Sequence, residues 1–218
     1  MDAIMIRALP VQRPEQLVIL NWRAPKKIPI VRNHMGTSYD DPGGQTSPNF
    51  PYPAYEFLRK NNQVFSTLFG YSAAGRLNLV VDGQAELGEG QYVSGDYFSV
   101  LGVRPTAGRL IAPEDDRTGA TPVVAISYGF SQRHFGSSDG AIGKSILING
   151  KSFVIAGVSH PEFFGVRPQG APVVFIPIHD LGLVDLNRYN DVDARFIDNH
   201  FYWIEMMGRL KPGISLRQ

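Results

Sequence analysis

The chain has 218 residues, of which 43% are hydrophobic and 19% are charged, and its formal net charge is +1 at pH 7. This length suffices for one large domain or for two small ones with cores of their own. The near-neutral charge argues against nucleic acid as a partner, because a polyanion is bound by a basic surface. The absence of cysteine excludes disulfides and thiolate metal sites and leaves the compartment open.

The first residues predict a connector followed by a buried strand. Residues 1–9 are apolar but too short for a secretory signal, and no stretch reaches the ~18–20 apolar residues of a membrane-spanning helix. Residues 7–14 are interrupted by prolines, which is typical of an extended connector. Residues 16–22 (QLVILNW) are a short apolar run, typical of a buried strand.

Residues 23–51 predict a long loop, because they are rich in proline and glycine and poor in apolar side chains. We expect a disordered insertion, with a partner-facing surface as the alternative. After Pro53 the spacing becomes helical, and the apolar side chains of one face are Ala54, Leu58, Phe65, Leu68 and Phe69. The pair Asn61-Asn62 is expected to divide this stretch into two short helices that cover a sheet.

Two β-hairpins are predicted from their turn residues. Residues 76–93 alternate in polarity around Asp82-Gly83, and residues 145–158 surround Asn149-Gly150. Both dipeptides readily adopt the positive φ values of a tight two-residue turn. Each pair of strands is therefore expected to be antiparallel.

The stretch from residue 90 to residue 116 combines a strand, a buried cluster, three expected turns and an acidic run, and we expect the rest of the fold to be arranged around it. Its first strand leads to four side chains that must be buried, each contributing roughly 1.5–3 kcal/mol: Tyr97, Phe98, Val100 and Leu101. Gly102, Pro105 and Gly108 are expected to set three chain reversals. An acidic run at residues 114–116 follows Arg109.

The second half of the sequence is predicted to be mostly β. Residues 121–127 predict a buried strand, and residues 128–135 a short helix that Gly136 ends. Residues 171–178 predict a strand at a sheet edge, because Pro177 interrupts it. Residues 181–199 lack periodicity and predict a surface segment, and residues 200–210 predict a last strand.

Motifs for nucleotide binding, metal binding and nucleophilic catalysis are incomplete. Residues 136–145 end in Gly-Lys-Ser, but Ser138 stands where a phosphate-binding loop requires glycine, and a hairpin follows instead of a helix. The histidines have no metal-binding spacing, and no serine lies in a G-x-S-x-G motif. The residues concerned are His34, His134, His160, His179, His200, Ser94, Ser127 and Ser159.

Acidic and aromatic residues leave some alternatives open. Glu114, Asp115 and Asp116 lack the spacing of a calcium loop, so a solvated acidic turn beside Arg109 or Arg117 is favoured. Glu86 and Glu89 are three residues apart on a strand and should face opposite sides, which argues against a glycosidase pair. The aromatic residues considered are mostly assigned to the core, with Phe163-Phe164 expected to be an exposed contact site: Trp22, Tyr52, Tyr55, Tyr71, Phe163 and Phe164.

Three stretches of sequence carry a resemblance to a known family. They are V-S-G-x-Y-F-x-V-L-G-V-x-P-x-x-G-R from Val93, P-V-V-x-I-S-Y-G-F-x-Q-R-x-F-G from Pro122, and I-G-K-S-I-x-I-N-G-K-x-F-x-I-A-G-V from Ile142. From about residue 16 to about residue 212 the chain resembles the MacB-type periplasmic core domain of FtsX-like ABC transporter permeases. It is most similar to the duplicated orphan permeases, which lack a fused ATPase.

The resemblance implies an α+β fold with two lobes, a small α/β porter-like lobe and an inserted β-rich Sabre-like lobe. Residues 1–15 would be a connector after a missing transmembrane helix, and residues 16–101 the first part of the porter-like lobe. Residues 102–180 would form the Sabre-like lobe, and residues 181–218 the return to a truncated porter-like lobe.

The resemblance also implies a function, that of the extracytoplasmic domain of an efflux or export permease on the periplasmic face of the bacterial inner membrane. The domain would couple transmembrane-helix motion to substrate or partner handling, without catalysis, cofactor, catalytic residues or metal. Its partners would be its own transmembrane helices and a separate ATPase subunit. A permease dimer and a membrane fusion protein are partners in MacB-type members. The alternative is a secreted ligand-binding protein or enzyme with a loop-covered aromatic pocket.

Overall fold

The computed structural model describes residues 11–25, 31–167, 171–185 and 192–214, and the chain packs as two units. The sheet unit consists of Gln16–Ser72 and Asn187–Gln218, and the ring unit consists of Met1–Glu15 and Ala73–Leu186. Both units combine strands with short helices. The predicted α+β fold class is confirmed.

The described part of the chain contains many short strands and a few short helices. The strands are β1 (Leu17–Ile19), β2 (Trp22–Ala24), β3 (Asn33–His34), β4 (Tyr39–Asp41), β5 (Gly44–Ser47), β6 (Asn49–Phe50), β7 (Phe65–Val81), β8 (Gln84–Val93), β9 (Pro105–Gly108), β10 (Val123–Ile126), β11 (Ser145–Ile148), β12 (Lys151–Ser159), β13 (Val174–Pro177), β14 (Phe201–Tyr202) and β15 (Ile204–Leu210). The α-helices are α1 (Tyr52–Asn61), α2 (Tyr97–Leu101), α3 (Tyr128–Phe135), α4 (Ser138–Ala141), α5 (Leu181–Val184) and α6 (Val192–Ile197). Pro14–Gln16 and Ile178–Asp180 are 3-10 turns.

In the ring unit the strand pairings close on themselves. The order is β7, β11, β12, β10, β13 and β8, and β8 pairs again with β7. The β10–β12 and β13–β8 pairs are parallel, and β9 extends the pairing on the β11 side of β12. A closed ring leaves these strands without a free edge along most of their length. Further strands therefore cannot add to the ring as they can to an open sheet.

The burial pattern shows which face of each ring strand is internal. Ile146 and Ile148 of β11 are fully buried, whereas Leu147 between them is 39% exposed. Phe153 and Ile155 of β12 alternate in the same way with exposed neighbours. In β10 and β13, by contrast, every residue is buried. These two strands are therefore covered on both faces.

The two hairpins are confirmed. Asp82 and Gly83 have φ values of 47° and 79°, and Asn149 and Gly150 have φ values of 48° and 81°. Both turns thus place two successive residues in the left-handed region, as a type I′ turn requires. Asn149 also receives the backbone N–H of Asn78 on its side-chain oxygen at 3.0 Å, which ties the second turn to β7.

The edge position predicted for residues 171–178 is wrong. β13 lies between β10 and β8, pairing with both. Its pairing with β10 involves Val174 and Phe175, and Pro177 comes after them at the end of the strand. The missing N–H of Pro177 therefore removes no hydrogen bond from that pair, which is why a central strand tolerates it.

The buried cluster predicted in the 90–116 stretch is confirmed. Tyr97, Phe98, Val100 and Leu101 all lie in α2 and are at most 5% exposed. Gly102 ends α2 with φ of 70°, and Gly108 has φ of 62°. The reversal predicted at Pro105 is wrong, because that residue begins β9 and pairs with Ser159 of β12.

In the sheet unit β15 is the central strand. On one side it pairs with the first part of β7, from Phe65 to Tyr71, and it also pairs with β1 and β6. Leu17 of β1 lies opposite Arg209 of β15 in an antiparallel register. The last strand predicted at residues 200–210 is confirmed as β14 and β15.

The disordered loop predicted at residues 23–51 is wrong where the structure describes it. β2, β5 and β4 form a small sheet, and β3 pairs with β14. Ser47 and Asn49 are buried and bond across this region: Asn49 Oδ1 accepts the N–H of Thr37 at 3.1 Å, and Ser47 Oγ donates to Thr37 O at 2.9 Å. Trp22 Nε1 donates to Asn49 O at 2.6 Å. Polar side chains, and not an apolar pattern, hold the segment.

The two helices predicted beyond Pro53 are corrected to one helix and a strand. α1 ends at Asn61, and Asn62 is extended, with ψ of 148°. Asn62 Oδ1 accepts the N–H of Phe65 at 2.7 Å, at the start of β7. Leu68 and Phe69 are successive buried residues of that strand. Because both faces of β7 are buried there, its apolar residues do not alternate and imitate helical spacing.

The surface segment predicted at residues 181–199 is also wrong in part. Leu181 and Val184 of α5 are buried, and so is Arg195 of α6. The Arg195 guanidinium lies 5.6 Å from the centre of the Phe201 ring, and Arg195 O accepts from Trp203 Nε1 at 3.0 Å. Residues 186–191 of this prediction lie outside the described residues.

The division into units differs from the boundary that the resemblance implied. Residues 73–101 pack with the ring unit, because β7 and β8 both belong to the ring. The division at Leu186 also lies six residues beyond the implied boundary at residue 180. The porter-like and Sabre-like assignments themselves stay predictions.

Candidate functional site

Several charged side chains of the ring unit meet at the acidic loop, which we define as residues 109–117. Arg109 directly follows β9 and donates from both terminal nitrogens to Asp115, Nη1 to Oδ2 at 2.6 Å and Nη2 to Oδ1 at 2.8 Å. The backbone N–H of Ala112 also donates to Asp115 Oδ2, at 2.9 Å. Such a two-pronged pair fixes the geometry of both side chains. The pair therefore joins the first residue of the acidic loop to Asp115 near its end.

The protonation states of this pair reinforce one another. Burial alone raises the pKa of Asp115, but the hydrogen bonds from Arg109 and Ala112 and the charge of Arg109 lower it below its ordinary value of 3.8 on balance. The hydrogen bonds that Arg109 donates to Asp115 in turn raise the pKa of Arg109. Both groups are therefore charged throughout the physiological range.

Asp116 joins the acidic loop to two other segments. Its Oδ2 accepts the N–H of Gly95 at 3.0 Å, and its Oδ1 accepts the N–H of His179 at 3.0 Å. His179 Nδ1 also lies 2.8 Å from Oδ1. A Cβ at Gly95 would collide with the backbone of Pro113, so only glycine permits this approach. One carboxylate thus holds the end of β8, the acidic loop and the turn after β13.

The solvated acidic turn predicted at residues 114–116 is corrected by these contacts. The side chains of Asp115 and Asp116 are both only 8% exposed. Arg109 is the predicted basic neighbour, whereas Arg117 donates to the backbone oxygen of Glu114 at 3.0 Å. The sequence indicated the pairing of Arg109 with the acidic run, but it did not indicate the contact between Asp116 and His179.

Within residues 11–25, 31–167, 171–185 and 192–214, no group of three or more acidic, histidine or cysteine side chains could hold a metal ion. The histidines lie apart. His34 contacts Ser47 Oγ at 3.1 Å, His134 lies 3.2 Å from Glu86, and His179 contacts Asp116. His160 and His200 bond within their own turns.

The remaining motif residues have structural roles. Gly143, with φ of 76°, leads into strand β11 and not into a helix, as expected for the imperfect Gly-Lys-Ser motif. Ser127 caps α3 by accepting the N–H of Phe130 at 3.3 Å. Glu86 faces Arg133 and His134, and Glu89 faces Arg76. The two glutamates do not form a catalytic pair.

The aromatic residues pack mainly inside their own units. Phe163 is 4% exposed and packs against Tyr97, Phe98 and Phe175, so its predicted exposure is wrong. In the sheet unit Tyr52 stacks on Trp203 with ring centres 6.1 Å apart. The prediction that most of these aromatics belong to the core is confirmed.

Among the helices that the structure describes, none is long and apolar enough to cross a membrane.

No curated protein matches the sequence. Three solved structures share the fold. The periplasmic region of MacB from Actinobacillus actinomycetemcomitans has a TM-score of 0.57 at 15% identity, over 78% of this chain and 68% of that one. A domain of a protein assigned as a permease, from Porphyromonas gingivalis, has a TM-score of 0.62 at 11% identity, over 95% and 78%.

The third structure is the extracellular domain of the noncanonic ABC-type transporter YknZ from Gram-positive bacteria. Its TM-score is 0.56 at 12% identity, over 90% of this chain and 84% of that one. The sequence itself matches the family described as MacB-like periplasmic core domain over residues 20–218. The match covers almost the whole chain and includes the acidic loop. The chain belongs to the MacB-like periplasmic core domain family, the periplasmic domains of ABC-type permeases.

Proposed function

We propose that this chain is a non-catalytic coupling domain of an efflux or export permease. In this proposal it lies on the periplasmic face of the inner membrane, and motion of the permease's own transmembrane helices changes how the domain handles a substrate or partner. ATP is hydrolysed by a separate ATPase subunit. The family match over residues 20–218 is the observation that carries the proposal.

The pairing of β1 with β15 supports a mechanical role. Leu17 lies opposite Arg209, and Ile19 lies opposite Met207. The segment before β1, which belongs to the ring unit, and the segment after β15 therefore join neighbouring strands of one sheet, about 4.8 Å apart. A displacement transmitted by either neighbouring segment reaches the same sheet. This arrangement would let neighbouring helices move the sheet unit.

The order of the units along the chain also supports it. The ring unit interrupts the sheet unit between Ser72 and Asn187. The chain also passes from the ring unit to the sheet unit between Glu15 and Gln16, so a change in the sheet unit can reach the ring unit along three covalent connections. The ring unit would carry the surface that meets substrate or partner.

The occupied polar groups favour a role without catalysis. Asp115 is engaged by Arg109, and Asp116 by Gly95 and His179. These carboxylates organise loops, and a catalytic acid or base needs a group poised toward a substrate. Small toxic compounds, lipoproteins and peptides are the substrate classes consistent with such a permease. A second permease copy and a membrane fusion protein are further proposed partners.

The test is a distance measurement in the complete permease with its ATPase. Because this chain has no cysteine, spin labels can be attached at Phe57→Cys in the sheet unit and Leu147→Cys in the ring unit, with any cysteines elsewhere in the permease replaced. Both positions are exposed, at 64% and 39%. We expect the 57–147 distance distribution to shift between the ATP-bound and nucleotide-free states.

The matched control uses Leu87→Cys with Leu147→Cys, a pair of exposed positions within the ring unit. This distance should be the same in both states. An unchanged 57–147 distribution in a permease that still hydrolyses ATP and exports would contradict the coupling role. Equal shifts in both pairs would show distortion of the ring unit instead of movement between units.

A further inference from the structure

Asp180 is a buried carboxylate with an unusual environment. It ends the 3-10 turn Ile178–Asp180, directly before α5, and is 6% exposed. Its Oδ2 is buried and has no hydrogen-bond partner among the described residues. A buried charged oxygen without a donor is costly, whereas a protonated carboxyl is much less so. The site therefore favours a proton on Asp180.

Two further carboxylates act on this group. Burial contributes most to raising the pKa of Asp180 to about 6, and the charges of Asp116 and Asp115 in the acidic loop raise it further. The charge of His179, on the same turn, acts in the opposite direction. Arg109 reaches the cluster through Asp115, to which it is bound. The opposing cation is thus already committed to a neighbouring carboxylate.

Asp180 lies between two attachment points of its segment. On one side, Asp116 holds the backbone and ring of His179. On the other side, Asn149 Nδ2 donates to Val184 O at 2.8 Å, and Leu181 and Val184 are buried. The segment 178–184 is therefore fixed at both ends, with the unsatisfied carboxyl oxygen in between.

We propose that the protonation state of Asp180 controls how firmly the segment 178–184 packs in the ring unit. With its proton, the carboxyl is accommodated beside Asp116 and Asp115, and the segment stays packed against the acidic loop. On losing the proton, the charge is repelled by both aspartates and the segment loosens. This inference does not depend on the proposed transport role.

The sign of the pH effect follows from linkage. The folded chain holds the proton of Asp180 up to about pH 6, whereas an unfolded chain releases it near pH 3.8. In this window the folded state binds more protons than the unfolded state. The contribution of Asp180 to stability is therefore full below pH 3.8 and is lost as the pH rises through about 6.

The experiment compares wild type, Asp180→Asn and Asp139→Asn in the 218-residue chain. Asp139 is an exposed aspartate of the same unit and serves as the control. Amide hydrogen exchange, expressed as protection factors, is measured for residues 178–185 at pH 5.0 and pH 7.5. NMR titration of the carboxyl carbon of Asp180 is recorded in the wild type.

We expect the protection factors to fall about tenfold between pH 5.0 and pH 7.5 in wild type and in Asp139→Asn. The lower pH lies one unit below the pKa of Asp180, about 6, and one unit corresponds to a factor of ten. Asp180→Asn should retain its protection at both pH values. If the protection factors of Asp180→Asn still fall between the two pH values, the effect belongs to His179 and the proposal is overturned. If Asp180→Asn does not fold, the wild-type titration decides: a midpoint near 4 would equally overturn it.

Discussion

His179 presents both its backbone N–H and its ring nitrogen to one oxygen of Asp116, at 3.0 Å and 2.8 Å. The other oxygen of Asp116 accepts the N–H of Gly95. Three separate stretches of the ring unit thus depend on one carboxylate. The acidic run that looked like a surface turn in the sequence is a structural junction.

Replacing Asp116 by alanine should destabilise the chain by about 1–3 kcal/mol, because it leaves two partly buried backbone N–H groups without this acceptor. Urea denaturation at pH 7 measures the change. Glu114→Gln is the control in the same acidic run, since Glu114 is exposed, and it should stay within about 0.5 kcal/mol of wild type. Equal losses of stability in the two variants would show that Asp116 does not hold the three stretches together.

Arg109→Met should cost about 1–3 kcal/mol at pH 7, because Asp115 then keeps only the hydrogen bond from Ala112. The pKa of Asp115 lies below 3.8 in the folded chain, so this pair contributes stability above pH 3.8 that is lost as the pH falls further. The loss of stability below pH 4 should be smaller in Arg109→Met. Arg117→Met, which removes only a bond to a backbone oxygen, is the control.

Ile146→Ala should destabilise the ring unit by about 2–5 kcal/mol, because it opens a cavity at a fully buried position. Leu147→Ala removes a similar side chain from the exposed face one residue further along. It should cost less than about 1 kcal/mol. The two denaturation midpoints together test the register of β11, since a slip by one residue would exchange the two effects.

Asn49→Ala should loosen the small strands between residues 31 and 47, because Asn49 Oδ1 no longer accepts the N–H of Thr37. We expect a cost of about 1–3 kcal/mol for the lost buried acceptor. Hydrogen exchange of that segment is the measurement. Gln45→Ala alters a half-buried side chain of β5 and should leave exchange there unchanged. If residues 31–47 exchange at the same rate in Asn49→Ala and in Gln45→Ala, Asn49 does not organise the segment.

The sequence was most informative where a local signal decides the conformation. Asn149-Gly150 and Asp82-Gly83 identify the hairpins, because few other dipeptides adopt two successive positive φ values. Tyr97 and Phe98 indicated the core because burying such large aromatic side chains is favourable, and both are at most 2% exposed. The resemblance then supplied the family.

The sequence was least informative where distant contacts decide. Strands of two to four residues, such as β3 and β5, are too short for a polarity pattern, and Ser47 and Asn49 stabilise them through partners elsewhere in the chain. Leu68 and Phe69 were assigned to a helix because β7 is buried on both faces at those residues. The junction at Asp116 depends on His179, 63 residues away, which no local pattern could indicate.

The single strand β7 serves both units, since its residues 65–71 pair with β15 and its residues 79–80 pair with β11. In genetic terms, the codons for the main segment of the ring unit, residues 73–186, begin in the middle of a strand and not in a loop. Replacing codons 73–186 by a short turn would leave every pairing of β15 with β7 in place. Gene fusions that exchange ring units between relatives should therefore be joined inside β7, between residues 72 and 73.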